Sequence, residues 1–351
     1  MEQIWWEKVP NAVAFVSDIV ENLLSEKSIV LSCSGDLPWY SFMVRTIKEA
    51  VKQQNSSKRF ESASDIQNPG DYLLKEFCKP EKRAEYRPTK SYAKFFAGSD
   101  DIVLHGRYIW IKVKSKGQMD SWMSFISEYI KERGRSKETA VFVLEWNGCE
   151  NLQFKKGITP ISFDEYVSEY DRIVFCTLAS SSVGERPFIK NYLTELAANV
   201  VGNDIELCAA CLRNYRDFLK DPYKAICQVV HDQIRSDGTD YTFSMNENDV
   251  KHLIWCAQIK TVYPILEEYR EEFVQKYASV IAKYLPMTSS YGETYDEPSD
   301  VELGTLKYMA DNGMLHLQTK DAERLKVNKE ARNKLSHLAV LPLEEIHKLE
   351  V

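Results

Sequence analysis

The chain has 351 residues and a formal net charge of −7, with 44% hydrophobic and 28% charged residues, proportions that exclude a disordered chain and fit a folded globular protein. No apolar run approaches the roughly 20 residues a membrane helix needs. The acidic balance disfavours wrapping nucleic acid over a large surface, where phosphate neutralisation dominates affinity.

At roughly 150 residues per domain, the length gives about two domains. Residues 1–10 lack the basic stretch and apolar core of a secretion signal, so a cytoplasmic location is expected, with the eight cysteines reduced and no disulfide framework. Ala12, Val13, Phe15, Val16, Ile19, Val20, Leu23 and Leu24 recur at helical spacing and predict a helix over 11–26, with Trp5 and Trp6 beneath it. Ile29, Val30 and Leu31 then form a buried strand. The loop 32–36 follows, and Phe42, Met43, Val44, Ile47, Ala50 and Val51 predict an amphipathic helix that Asp36 caps and Pro38 opens. This strand, loop and helix stand where a nucleotide-binding α/β domain keeps its phosphate loop. The chemistry is missing, because such a loop needs glycines, a Lys for phosphate charge and a Ser or Thr for Mg²⁺, whereas Asp36, Leu37, Pro38 and Trp39 follow Gly35.

A second strand is predicted over 59–63 and a helix start at Asn68 and Pro69. Further strands fall at 108–113, 140–146 and 172–178. A helix carrying Trp122, Phe125, Ile126, Tyr129 and Ile130 separates the first two, and a shorter one over 163–169 precedes the last. This alternation predicts an α/β fold, a mainly parallel sheet with flanking helices, followed by an all-α C-terminal domain. The α/β domain spans 1–186, a helical domain 187–285, an acidic linker 286–300, and a C-terminal helical segment 301–351 that contains RNKLSH. Within the helical part, patterns run over 188–201, 205–219, 222–234, 247–261, 264–284, 301–312, 322–338 and 343–349.

Residues 79–117 carry ten Lys or Arg against four acids in an otherwise acidic chain. Lys82, Arg83, Arg87, Lys90 and Lys94, interleaved with Tyr86, Tyr92, Phe95 and Phe96, are the expected partner-binding residues. The alternative is a solvated loop whose aromatics tuck into the sheet. Glu145 ends a strand where a nucleotide hydrolase places a metal-binding carboxylate, but without a phosphate loop an exposed carboxylate is expected. Cys208, Cys211, Cys227 and His231 have a superficially zinc-like spacing. Both segments are helical in pattern and lack knuckle glycines, so a helix–helix core is expected, with no metal and no cofactor.

Arg332, Asn333 and His337 stand apart, since a guanidinium beside an imidazole can hold a scissile phosphate and transfer its protons. The opposing reading is a structural histidine, buried and hydrogen-bonded, with Leu335 and Leu338 on the core faces and Glu344, Glu345 and Glu350 repelling RNA.

Two resemblances rest on these residues. The series 28–186, with the Lys and hydroxyl of its phosphate loop lost, resembles the nucleotide-binding core of the STAND class of P-loop ATPases as a degenerate member. The segment ARNKLSHL resembles the R-x4-H motif of HEPN domains, with Arg332, Asn333 and His337 matching. Similar endings also occur in helical domains without catalysis. Together the resemblances imply a component of prokaryotic phage defence. The leading expectation is a non-hydrolysing accessory or regulatory protein that acts through protein–protein contacts with other members of a defence complex, without a membrane and with nucleic acid open but not favoured. The alternatives are a metal-independent HEPN-type RNase working as a homodimer through Arg332 and His337, and a nucleotide sensor that uses the crevice at the sheet's C-terminal edge.

Overall fold

The computed structural model describes residues 1–54, 56–98, 104–133, 139–148, 152–288 and 292–349. Glu350, Asp100 and Asp101 of the basic segment, and 289–291 of the expected linker lie outside the described residues. The chain forms two compact units, Met1–Asp171 and Arg172–Val351, where the sequence pattern places its first boundary near 186.

The first unit opens with α1 (Glu2–Lys8) and α2 (Pro10–Leu24), which bury Trp5, Trp6, Phe15 and Ile19. β1 (Ser28–Ser32), α3 (Tyr40–Gln54) and β2 (Arg59–Ser64) follow, then α4 (Pro69–Phe77), α5 (Pro80–Glu85) and α6 (Tyr92–Gly98). β3 (Arg107–Val113), α7 (Lys116–Arg133), β4 (Val141–Trp146), β5 (Ile158–Ser162) and α8 (Phe163–Tyr166) complete the series, and the boundary between the units falls within α9 (Glu169–Ser181). The five strands are parallel in the order β2-β3-β4-β1-β5. Central strands covered on both faces need continuous apolar runs, and every residue of β4 is buried.

Register sorts the sheet's two faces. Val30, Ile109, Ile111, Phe142 and Leu144 pack with Phe96, Trp122, Phe125 and Ile126 in one apolar cluster. The paired residues Leu31, Glu145, Lys112 and Ser64 share the opposite face. Against that face the Tyr108 hydroxyl donates to the Leu23 carbonyl of α2 at 2.9 Å.

One strand expectation is corrected. Residues 172–178 are helix within α9, because Phe175, Cys176 and Ala179 are buried at helical spacing, with no alternation despite the β-branched composition. The fifth strand is instead β5, whose Pro160 is tolerated because an edge strand has one side free of the ladder.

The second unit adds α10 (Pro187–Val200), α11 (Ile205–Arg213), α12 (Tyr215–Lys220), α13 (Pro222–Asp232), α14 (Glu247–Ile281), α15 (Leu303–Asp311), α16 (Thr319–Ser336) and α17 (Leu343–Lys348). A small antiparallel hairpin, β6 (Met287–Thr288) and β7 (Thr294–Tyr295), lies between α14 and α15. The two helices expected over 247–284 are one helix of 35 residues that runs through Pro264. Proline costs a helix interior about 3 kcal/mol, and burial of Thr261, Val262 and Leu266 around it offsets that penalty. Tyr269, Phe273, Leu303, Leu306, Met309 and Leu325 form a core here. Within 286–300, Tyr295 is buried and the Ser299 carbonyl accepts from Arg270 Nη1 at 2.8 Å. Among the described residues no helix is long and apolar enough to cross a membrane.

Candidate functional site

The loop after β1 carries backbone and hydroxyl donors, and a protein carboxylate takes them up. Ser34 donates its backbone N–H to Asp164 Oδ2 at 2.8 Å and its hydroxyl to Asp164 Oδ1 at 3.0 Å. Asp164 is in the first turn of α8, directly after β5. A carboxylate thus sits on donors of the kind that a phosphate loop offers its anion. α3 starts at Tyr40, later than expected, so neither Asp36 nor Pro38 opens it. Trp39 precedes it at φ +45°, and its carbonyl accepts from the N–H groups of Phe42 and Met43. Trp6 Nε1 donates to the Pro38 carbonyl at 2.8 Å and pins the loop from below. Burial pushes the Cys33 thiol up to about 11, so it is no ready nucleophile.

Glu145 is not the exposed carboxylate expected; it is 6% exposed. Its Oε1 accepts from the Tyr40 hydroxyl and from Trp110 Nε1, both at 2.5 Å. Burial raises the Glu145 carboxyl above its ordinary value, against the pull of Tyr40, Trp110, Lys112 and Lys48. Burial and Glu145 together push the Tyr40 phenol upward. The Lys112 ammonium stands 4.0 Å from the centre of the Tyr40 ring. Between α3 and the β2–β3 edge of the sheet lies a cavity of about 660 Å³, lined by Tyr40, Arg45, Lys48, Ser62, Trp110 and Lys112 among others. Sequence pattern alone misses this site. Its one signal is Lys112 in β3, a charged residue on a strand whose other face, Ile109, Ile111 and Val113, is core.

The basic segment divides in two. Arg83 donates from Nε to the Cys78 carbonyl at 2.8 Å and from Nη2 to the Lys75 carbonyl, which ties it to the end of α4. Lys82 pairs with Glu85 at 3.1 Å and Lys94 with Glu132 at 4.0 Å. Arg87 Nη1 bonds the Ala84 and Tyr86 carbonyls. Arg87, Lys90 and Lys94 are exposed. The aromatics between them pack inward: Tyr86 stacks on Tyr92 with ring centres 4.4 Å apart, Phe95 meets Tyr86 and Phe96, and Phe96 is buried.

Cys208 and Cys211 are buried on α11, whereas Cys227 and His231 are exposed. His231 bonds Asp232 at 2.7 Å. Among the described residues no three His, Cys, Asp or Glu side chains are grouped to hold a metal.

Arg332 and His337 part company at the end of α16. Arg332 Nη2 pairs with Glu302 at 3.1 Å, in a small cavity whose wall also holds Glu267 and Asp300. Asn333 is half-buried, and its carbonyl accepts the His337 N–H at 3.1 Å. The imidazole of His337 is exposed, which corrects the expectation of a buried histidine, and Leu338 is 67% exposed at φ +60° instead of facing a core. His337 stands just past the last helical residue, Ser336, and among the described residues no hydrogen bond joins its ring to Arg332.

No family model matches the chain, and no curated protein matches it. Among solved structures, a point mutant of RuvB from Thermotoga maritima superposes with a TM-score of 0.33 at 11% identity, covering 73% of this chain and 78% of that one. C. elegans PCH-2 superposes with a TM-score of 0.31 at 6% identity, covering 62% and 66%. At scores this low the fold rests on the parallel sheet and the helical unit themselves.

Proposed function

We propose that this chain is a non-hydrolysing, NTPase-like accessory protein that works through protein–protein contacts. The observation that supports this reading is Asp164 on the loop after β1. A phosphate there would have to displace an intramolecular carboxylate, and the loop offers no Lys to balance the charge and no Mg²⁺ hydroxyl in the phosphate-loop position. Calorimetry with ATP, GTP and their diphosphates is expected to show no turnover and no Mg²⁺-dependent affinity tighter than roughly 100 μM, about −5.5 kcal/mol. Micromolar, Mg²⁺-dependent binding would overturn the reading.

The contact surface we assign centres on the exposed Lys90 and Lys94, since the Arg83 and Arg87 guanidiniums are both bonded to backbone carbonyls of their own segment. Lys90→Glu with Lys94→Glu should slow capture of an acidic partner and flatten its salt dependence while leaving the melting temperature unchanged. Unaltered capture at both low and high salt counts against this surface. The resemblance to STAND and HEPN proteins suggests a prokaryotic defence complex as the setting. An RNase acting through Arg332 and His337 stands second, because the Arg332 guanidinium is engaged by Glu302 among further carboxylates that repel a phosphate.

A further inference from the structure

Parallel pairing sets Ser64, Lys112 and Glu145 in one row across β2, β3 and β4, with Ser62 and Trp110 in the row before it. α3 passes over these rows without filling the space beneath, and the resulting cavity of about 660 Å³ falls within the size range of small-molecule sites. Arg45, Lys48, Lys52 and Lys112 line it, against Glu49 as the lining carboxylate. Among the described residues, none of these four cations has a carboxylate within ion-pair distance. Lys48 stands 3.4 Å from Ser62 Oγ, and burial and Lys52 both lower its affinity for a proton. An excess of cations around one concavity is what an anion would relieve.

The floor of the cavity is fixed in advance. Glu145 takes the Tyr40 hydroxyl and the Trp110 indole N–H, which holds both rings in place. The donors left for a ligand are the Lys48, Lys52 and Lys112 ammoniums, the Arg45 guanidinium and the serine hydroxyls, a set suited to tetrahedral oxyanions. Val44 and the two aromatic rings supply an apolar flank. We propose that this cavity binds a small phosphorylated molecule, with its phosphate between Lys48 and Lys112 and its organic part against Tyr40, Trp110 and Val44. The site needs no metal. It is separate from the loop after β1, none of whose residues 33–38 lines it, so it stands or falls independently of the accessory reading.

Calorimetry with pyrophosphate, free of Mg²⁺ and at low salt, tests the site on the full chain. Saturable one-to-one binding is expected, weakening as ionic strength rises. Lys48→Ala and Lys112→Ala should each reduce affinity roughly tenfold, one lost charge-assisted contact. Lys251→Ala, at an exposed position of α14 outside the cavity, should bind as the wild type does. Arg45→Ala, on the exposed side of α3, serves if either lysine variant melts early. Absence of saturable binding, equal binding by every variant, or an equal loss in the Lys251 variant would overturn the proposal. So would lysine-dependent binding of a single-stranded RNA without binding of pyrophosphate.

Discussion

Glu145→Ala should lower the stability of the protein by about 3 kcal/mol, and Glu145→Gln by much less. The alanine leaves the Tyr40 hydroxyl and the Trp110 N–H without the acceptor they share, and an orphaned buried donor costs about 1–3 kcal/mol. Glutamine keeps an oxygen where both donors aim. It also removes a pH dependence whose sign is fixed by the raised Glu145 carboxyl, since the native state binds this proton more readily than the unfolded chain does. Stability of the wild type therefore falls as pH rises from the ordinary carboxyl value through the native one, and the cost is fully present above it. The glutamine variant lacks this slope, so its deficit should narrow between pH 4 and pH 8. Urea unfolding followed by tryptophan fluorescence reads this out, because Trp5, Trp6, Trp39, Trp110, Trp122 and Trp146 all belong to the first unit and only Trp255 to the second. A glutamine variant as unstable as the alanine at both pH values would show that the oxygen at this position is not what holds Tyr40 and Trp110.

The environment of Glu145 also marks where sequence reading reaches its limit. β1, β3 and β4 are legible because a buried parallel strand must be continuously apolar, and α7 because its aromatic residues recur at helical spacing. Tyr40 and Trp110 are 105 and 35 residues from Glu145, and no local pattern links them. The same holds for Asp164, which reaches Ser34 across 130 residues. Local rules also fail where two of them compete. The β-branched run at 172–178 reads as strand by composition, yet its buried positions are helical, while β5 is obscured by Pro160, which only an edge position accommodates. At His337 the helical spacing that puts Leu338 on a core face stops applying, because α16 ends at Ser336 and the chain turns into a left-handed conformation two residues later.

Gln258→Ala should cost about 3 kcal/mol in the second unit, through a different arrangement of the same kind. Gln258 is fully buried on α14. Its Nε2 donates to the Tyr192 hydroxyl of α10 at 3.1 Å and to the Leu341 carbonyl at 2.8 Å, while its Oε1 accepts the Leu341 N–H at 2.8 Å. The side-chain amide thus pairs with the Leu341 backbone as a neighbouring strand would, and fastens the segment between α16 and α17 to the long helix. Alanine leaves the N–H and carbonyl of Leu341 and the Tyr192 hydroxyl buried without these partners, at about 1 kcal/mol or more each. Burial already pushes the Tyr192 phenol up to about 12, so ionisation offers it no relief near neutral pH. Glutamate at 258 should be no better than alanine at pH 7, because a carboxylate accepts from Leu341 but cannot donate to its carbonyl, and its charge would be buried beside that oxygen. Circular dichroism at 222 nm through a urea titration measures the loss. Amide hydrogen exchange then locates it: protection of the Leu341 N–H should fall in the alanine variant, which has no acceptor for it, even at urea concentrations where α14 is intact. A wild-type midpoint together with unchanged Leu341 protection would mean that apolar packing of Leu341 and Ile346, not the amide, holds this segment in place.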